Sequence, residues 1–220
     1  MNSGVLFDVD GTLVDTPYLH AVAWWQALRQ YDHDVPMERI HRAIGMGSDK
    51  ILDALIGAER DRDDDDRMRD AHSALYAPYW ERLRPQRGAA DLVRACADRG
   101  LRVALASSAS PPEFAALRRA LDIDDVLDAA TGAGDADNSK PDPDILQAAL
   151  DRIELTPDRA VLVGDAVWDV YAAAELDMPC IGLTCGGISA AELREAGAVE
   201  VYADPRDLLD HLGDSVILGG

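Results

Sequence analysis

The sequence predicts an α/β protein: a doubly wound parallel sheet with an α-helical segment inserted after its first strand. Three observations support this fold class. Short apolar runs recur along the chain, helical patterns alternate with them, and one long stretch near the amino terminus contains helical patterns only. With 220 residues, the chain is long enough for one large domain or for a core domain that carries a smaller insert.

Six short apolar runs are the candidate strands. They span residues 5–9, 103–107, 126–131, 161–163, 181–183 and 199–202. Short runs rich in Val, Leu and Ile are typical of parallel strands that are buried on both faces. Helical patterns accompany the later runs, at residues 89–99, 112–121, 144–153, 170–175 and 190–196. This alternation predicts parallel strands joined by crossover helices.

One segment interrupts the alternation. Between residues 16 and 83 the pattern is helical without a convincing strand, and the predicted helices span 20–31, 37–43, 48–56 and 63–80. We therefore expect residues 1–15 and 85–220 to form an α/β core, and residues 16–84 to form an inserted helical cap.

The composition excludes several classes of function. The chain carries 41 acidic and 21 basic residues, and its net charge of −20 repels nucleic acids and anionic membranes. No apolar run reaches the roughly 18 residues that a transmembrane helix needs, and the amino terminus lacks a signal-peptide pattern. Three cysteines are too few for a disulfide framework. We expect a cytoplasmic protein that binds neither nucleic acid nor membrane.

Two carboxylates end the first predicted strand. Asp8 and Asp10 follow the apolar run, and Gly11 then breaks the strand ahead of Thr12. In open α/β folds, ligands bind at the carboxyl ends of the strands, so both acids are expected at the mouth of a site. Acids in such a place are costly unless a cation or a proton neutralises them. The pattern indicates metal-assisted chemistry on a phosphate.

Polar residues also follow three further predicted strands. Ser107 ends the second strand, Lys140 follows the third, and Asp165 and Asp169 follow the fourth. Each has an ordinary alternative, as a helix cap, a helix start or an exposed loop lysine. Lysine is rare, since Lys50 and Lys140 are the only two in the sequence. Together these residues supply a nucleophile, an acid/base, metal carboxylates, a hydroxyl and a cation at one sheet edge.

The motifs Asp8-Val9-Asp10-Gly11-Thr12, Ser107, Lys140 and Gly164-Asp165 with Asp169, in this order, resemble those of the haloacid dehalogenase superfamily. The resemblance covers the whole chain and points to the branch with a helical cap after the first strand, which includes phosphatases and β-phosphoglucomutase-like enzymes. One departure is Ala166, where many relatives carry Ser or Thr.

The resemblance implies a reaction through an aspartyl phosphate. Asp8 is expected to attack phosphorus, and Asp10 to protonate the leaving alcohol and then activate water. Mg²⁺ is the implied cofactor, held by Asp8, Asp165 and the Asp10 main-chain carbonyl, with Asp169 holding a bound water. The implied binding set for phosphate and substrate comprises Thr12, Ser107, Ser108, Lys140, His20, Ser48 and Lys50.

The cap members of this set have competing interpretations. Ser48 and Lys50 lie in a glycine-bearing loop that meets the substrate in capped relatives, but they also fit a plain helix cap and an exposed lysine. His20 lies near the position of a histidine beside the second acid in relatives, and it also fits a structural role on an amphipathic helix.

The leading interpretation is a Mg²⁺-dependent phosphomonoester hydrolase that acts on a small phosphorylated metabolite. A sugar-phosphate mutase is the alternative, although its cap usually presents an arginine where this chain has Ser48-Asp49-Lys50. A non-catalytic binding module is less consistent with a full set of catalytic positions. A dehalogenase is disfavoured because that chemistry releases no alcohol and needs no second acid such as Asp10.

Overall fold

The computed structural model describes residues 3–219, and its centre is a parallel β-sheet. The six strands of the described chain are β1 (Gly4–Phe7), β2 (Arg102–Ala106), β3 (Ala129–Thr131), β4 (Ala160–Gly164), β5 (Cys180–Leu183) and β6 (Glu200–Tyr202). Their order is β3-β2-β1-β4-β5-β6, and every neighbouring pair is parallel. The chain winds outward from β1 in both directions, so the predicted doubly wound fold is confirmed.

Helices cover both faces of this sheet. They are α5 (Ala89–Asp98), α6 (Pro111–Leu121), α7 (Asp144–Arg152), α8 (Val167–Ala174), α9 (Ala190–Ala196) and α10 (Pro205–Asp210). Successive side chains of a strand point to opposite faces. Phe7 therefore packs with Leu92 of α5 and Leu117 of α6, whereas Leu6 packs in a second cluster with Leu146 of α7.

The residues between β1 and α5 are helical. Their helices are α1 (Pro17–Arg29), α2 (Met37–Ala43), α3 (Ile51–Ile56) and α4 (Asp65–Tyr76), followed by a 3₁₀ segment at Ala77–Arg82. They pack around an apolar cluster of their own, which includes Trp24, Leu28, Ile40, Leu52 and Met68. We call residues 16–84 the helical segment.

The two connections of the helical segment to the sheet run side by side. The Asp15 N–H donates to the Arg84 carbonyl at 3.0 Å, and the Gln86 N–H donates to the Leu13 carbonyl at 2.8 Å. The helical segment therefore joins the sheet through two adjacent connections.

Several helix limits differ from the prediction. Helix α1 begins at Pro17 rather than residue 20, because proline is favoured in the first turn. The helix predicted to reach residue 80 ends at Tyr76 and tightens to a 3₁₀ turn, because Pro78 has no N–H to donate. Helix α10 is an additional helix that the sequence patterns do not predict. Its start is capped by the Asp204 side chain.

The strand register brings the predicted site residues to one edge. Phe7 at the end of β1 lies opposite Leu105 of β2 and Val163 of β4. The residues that follow Phe7, Leu105 and Val163 therefore meet at the carboxyl ends of the three central strands. In the described part of the chain, no helix is both long and apolar enough to cross a membrane.

Candidate active site

Asp8 occupies the centre of the sheet edge. Its N–H continues the sheet by donating to the Val163 carbonyl at 2.9 Å, which fixes its backbone. Its side chain is buried, and both carboxylate oxygens are held: Lys140 Nζ donates to Oδ1 at 2.5 Å and Thr12 Oγ1 donates to Oδ2 at 3.1 Å. Burial raises the pKa of Asp8 to about 7 against the opposing effect of Lys140.

Lys140 is buried rather than exposed on a loop. Its side chain is 1% exposed, and its ammonium group lies between Asp8 and Asp169, with Nζ 2.8 Å from Asp169 Oδ1. It also donates to the Ala106 carbonyl at 3.0 Å. Burial alone would lower the pKa of Lys140, but the two carboxylates outweigh it and raise the pKa above its ordinary value. The ammonium group is therefore charged at neutral pH.

Asp8, Asp165 and Asp169 form a buried acidic trio. One oxygen of each lies within 4.8 Å of the others. Thr12 Oγ1 lies 2.9 Å from Asp165 Oδ1, and the Ala166 N–H donates to Asp169 Oδ2 at 3.1 Å. Burial and the two neighbouring acids raise the pKa of Asp165 well above its ordinary value.

The acidic trio fits a divalent cation. Three buried carboxylates face the single charge of Lys140, so negative charge is left in excess. Carboxylate oxygens are hard donors, and three carboxylates suit a hard cation such as Mg²⁺. The backbone also leaves room for the Asp165 carboxylate, since a Cβ at Gly186 would lie 1.6 Å from Asp165 Oδ2. Only a residue without a side chain fits there.

The Asp10 side chain contacts residues outside the trio. Thr16 Oγ1 donates to its Oδ1 at 2.8 Å, and Ser107 Oγ lies 3.4 Å from its Oδ2. His20 Nε2 lies 3.4 Å from Oδ1. Burial alone would raise the pKa of Asp10, but the hydrogen bond and charge of His20 outweigh it and lower the pKa. A metal contact from Asp10 through its main-chain carbonyl remains a prediction.

His20 connects Asp10 to two residues that the sequence did not reveal. Its Nε2 lies 3.2 Å from Glu113 Oε1, and its Nδ1 lies 3.2 Å from His72 Nε2. Burial alone would lower the pKa of His20, but its hydrogen bonds to Asp10 and Glu113 raise it to about 10. Burial and the charge of His20 lower the pKa of His72 well below its ordinary value. A charged His20 thus donates to a neutral His72.

Glu113 had a weak sequence signal and His72 had none. Glu113 follows Pro111 and Pro112 in the first turn of α6, where acids are favoured by the helix dipole, so an ordinary capping role explains it from sequence. His72 lies in α4, and only packing of α4 against α1 brings it to His20.

The predicted hydroxyl groups have different surroundings. Ser107 Oγ accepts from the Ala109 N–H at 3.1 Å and lies near Asp10. Ser108 Oγ is buried, and no hydrogen-bond partner for it was found in the described residues. The Thr12 hydroxyl lies between Asp8 and Asp165, so it positions carboxylates rather than facing a phosphate.

A cleft of about 100 Å³ separates the sheet edge from the helical segment. Asp8, Asp10 and Ser108 line it from the sheet side, and Ser48 lines it from the helical segment. Pockets for drug-sized ligands span roughly 300–1,000 Å³, so this cleft suits a small substrate.

Lys50 lies outside this cleft. Its Nζ donates to the Ser139 carbonyl at 2.7 Å and lies 2.6 Å from Asp142 Oδ2. A substrate contact from Lys50 would require this ion pair to open.

A family model for haloacid dehalogenase-like hydrolases matches residues 3–177 of the chain. Phosphoglycolate phosphatase from Escherichia coli (strain K12) is 30% identical over 236 residues, which cover 96% of this chain and 92% of the relative. The protein of the same name from Shigella boydii is 30% identical over 234 residues, with the same coverage.

Solved structures show the same likeness. The structure of a hydrolase from Pseudomonas syringae has a TM-score of 0.92 and 32% identity, covering 97% of this chain and 99% of the other. A β-phosphoglucomutase from Clostridium difficile has a TM-score of 0.83 over 97% of this chain and 96% of its own. Its identity is 20%, so this second likeness shows the fold alone.

Proposed function

Because the chain belongs to the haloacid dehalogenase-like hydrolase family and is a phosphatase of that family, we propose that it is a Mg²⁺-dependent phosphomonoester hydrolase acting on a small phosphorylated metabolite. One observation carries the proposal. Asp8 is a buried carboxylate with both oxygens held, and it opens onto the same cleft as a second acid, Asp10.

Asp8 is the nucleophile. One of its oxygens attacks phosphorus, the bond from phosphorus to the substrate's ester oxygen breaks, and Asp8 becomes an aspartyl phosphate. Water then attacks the phosphorus of this intermediate, which releases inorganic phosphate and restores the carboxylate. The covalent intermediate divides one difficult displacement into two easier ones.

Asp10 carries the proton in both steps. It protonates the leaving alcohol and then takes a proton from the attacking water. In the resting protein His20 favours the carboxylate form, but a bound phosphate dianion is a nearby like charge that favours protonation of Asp10. Thr16 and His20 both bind Oδ1, so the orientation of the carboxylate is defined before substrate arrives.

Lys140, Ser107 and Ser108 stabilise the transferring phosphoryl group. The charge of Lys140 lies beside the nucleophilic carboxylate, where negative charge builds up in the transition state. The buried hydroxyl of Ser108 lines the cleft, and a phosphate oxygen would provide a partner for it.

Asp8, Asp165 and Asp169 would hold Mg²⁺, with the Asp10 main-chain carbonyl as a further ligand. The bound ion would supply positive charge that offsets repulsion between the phosphate and the acids. Residues 16–84 act as the cap in this proposal, because they form the wall of the cleft opposite the core. Their closure excludes water from the reaction.

Phosphate release from a panel of small phosphomonoesters tests the proposal. We expect Mg²⁺-dependent release by the wild-type protein and a loss of at least about 10³-fold in Asp8→Asn, because a nucleophile is removed. Asp15→Asn is the matched control, since Asp15 is exposed in the same segment. Full activity in Asp8→Asn, or isomerised sugar phosphate in place of released phosphate, would contradict the proposal.

A further inference from the structure

Four apolar side chains lie on the wall of the cleft formed by the helical segment, beside the polar side chains of His20, Ser48, His72 and Ser73. They are Trp24 of α1, Ile44 and Met46 of the loop between α2 and α3, and Ile51 of α3. We call these four side chains the apolar wall. When the phosphate of the substrate lies at the Asp8 end of the cleft, the rest of the substrate is the leaving group. The apolar wall faces this leaving group.

The cleft offers no free cation to a leaving group. Among the described residues that line it, His20 is the basic side chain that carries charge, and its nitrogens already contact Asp10, Glu113 and His72. Lys140 lies at the Asp8 end. Lys50, the other lysine, is held outside the cleft by Asp142.

Few main-chain N–H groups are available to bind an anion where helix α6 meets the cleft. Helix α6 begins beside it, with Ser110 and Glu113 among the lining residues. The first turn of a helix usually offers N–H groups to an anion, but Pro111 and Pro112 have none. The Glu113 carboxylate lies at the same place, and its pairing with His20 leaves neither group free to bind an anion. A second anionic group on the substrate would therefore be desolvated there without a free cation.

We propose that the leaving group is a small alcohol without a second anionic group, whose carbon skeleton packs against the apolar wall. This inference rests on the proposed hydrolase function and narrows its substrate class. The specificity comes from exclusion, because a carboxylate or second phosphate would lose its hydration without gaining a cation.

Two esters of matched size test this inference. 2-Hydroxyethyl phosphate and 2-phosphoglycolate share a two-carbon leaving group and differ at its end, which is a hydroxyl in one and a carboxylate in the other. We expect kcat/KM for 2-hydroxyethyl phosphate to be higher by about tenfold or more. Equal or better hydrolysis of 2-phosphoglycolate would overturn the inference.

A charge introduced into the apolar wall should change this preference. Met46→Lys places an ammonium group where the structure has a partly buried thioether, and Met46→Gln is its uncharged control of similar length. We expect Met46→Lys to shift the ratio of the two kcat/KM values towards 2-phosphoglycolate by about tenfold. The Met46→Gln ratio should stay near that of wild type. An unchanged ratio in Met46→Lys would contradict the inference.

Asp8→Asn, measured on both esters, separates the two proposals. If hydrolysis depends on Asp8 and 2-phosphoglycolate is preferred, the leaving-group inference fails and the hydrolase proposal stands. If hydrolysis of both esters persists in Asp8→Asn, or neither ester nor any other phosphomonoester is hydrolysed, the hydrolase proposal fails and the inference fails with it.

Discussion

Lys140 lies between the carboxylates of Asp8 and Asp169, which would otherwise repel each other and the phosphate of a substrate. It is fully enclosed, and its ammonium group reaches Asp8, Asp169 and a main-chain carbonyl. In the proposed function this lysine has both a structural and a catalytic role, because the charge that compensates the acids at rest is also the charge that meets the transferring phosphoryl group.

Replacing Lys140 with methionine should impair both roles. We expect turnover to fall by at least about 10³-fold, and the free energy of unfolding of the metal-free protein to fall by about 3–5 kcal/mol, because buried carboxylates lose their partner. Phosphate release and urea unfolding measure the two effects. Lys50→Met removes the other lysine and is the control. Unchanged turnover in Lys140→Met would refute the assigned role.

His20 should make stability depend on pH. Its pKa is about 10 in the folded protein and about 6.5 when unfolded. The folded state thus binds the proton more tightly, and this stabilisation is full below pH 6.5 and declines as pH rises towards 10. We expect wild type to lose more stability than His20→Asn between pH 6.5 and 10 in urea unfolding with chelator present. Parallel losses in the two proteins would show that His20 is not charged.

At the scale of elements, the loop between α2 and α3 docks on the loop that carries Lys140. Lys50 contacts the Ser139 carbonyl and Asp142, and Asp49 accepts a hydrogen bond from the Ser139 hydroxyl. Gly47 permits this approach, since a Cβ there would lie 1.8 Å from Ser139 Oγ. The helical segment thus contacts the loop that carries Lys140.

Breaking this contact should affect binding more than chemistry. We expect Lys50→Met to raise KM a few-fold with a small change in kcat, because a partly exposed ion pair contributes at most about 1 kcal/mol. Asp142→Asn should have the same effect, and the double variant should be no worse than either single one. Fully additive effects on KM would show that the two residues act separately.

At the scale of the whole molecule, the acidic trio joins two strands that are distant in sequence. Asp8 follows β1, whereas Asp165 and Asp169 follow β4, and the fold holds them together against their repulsion. Folding therefore brings together carboxylates whose repulsion must be relieved by protons, as the raised pKa of Asp165 indicates, or by a cation. Metal binding and folding stability should consequently be coupled.

Mg²⁺ should raise the melting temperature of the wild-type protein. At about 100 times the dissociation constant we expect a rise of roughly 5–10 °C, measured by thermal unfolding without substrate. Asp165→Asn should abolish the rise and should itself be more stable than wild type in chelator, because one repelling carboxylate is gone. A melting temperature of wild type that does not respond to Mg²⁺ would contradict the proposed ion site.

The fold class and the positions of the catalytic candidates follow from the sequence alone. Apolar runs of strand length are local signals, and in a parallel sheet the residue after each run must lie at one edge. The strand pattern therefore predicts that Asp8, Lys140, Asp165 and Asp169 lie together at this edge. Helix ends were less predictable, because Pro17 and Pro78 act locally. Each fixes its own φ and lacks one N–H, and neither effect appears in the periodic pattern.

The partners of the charged side chains, in contrast, depend on tertiary packing. His20 contacts Glu113 and His72, which come from separate helices, and Lys50 contacts Asp142 rather than the cleft. Such contacts join residues dozens of positions apart without any periodic signal between them. They depend on how the helical segment packs on the core, because a charged side chain pairs with an opposite charge only when packing places the two within a few ångströms.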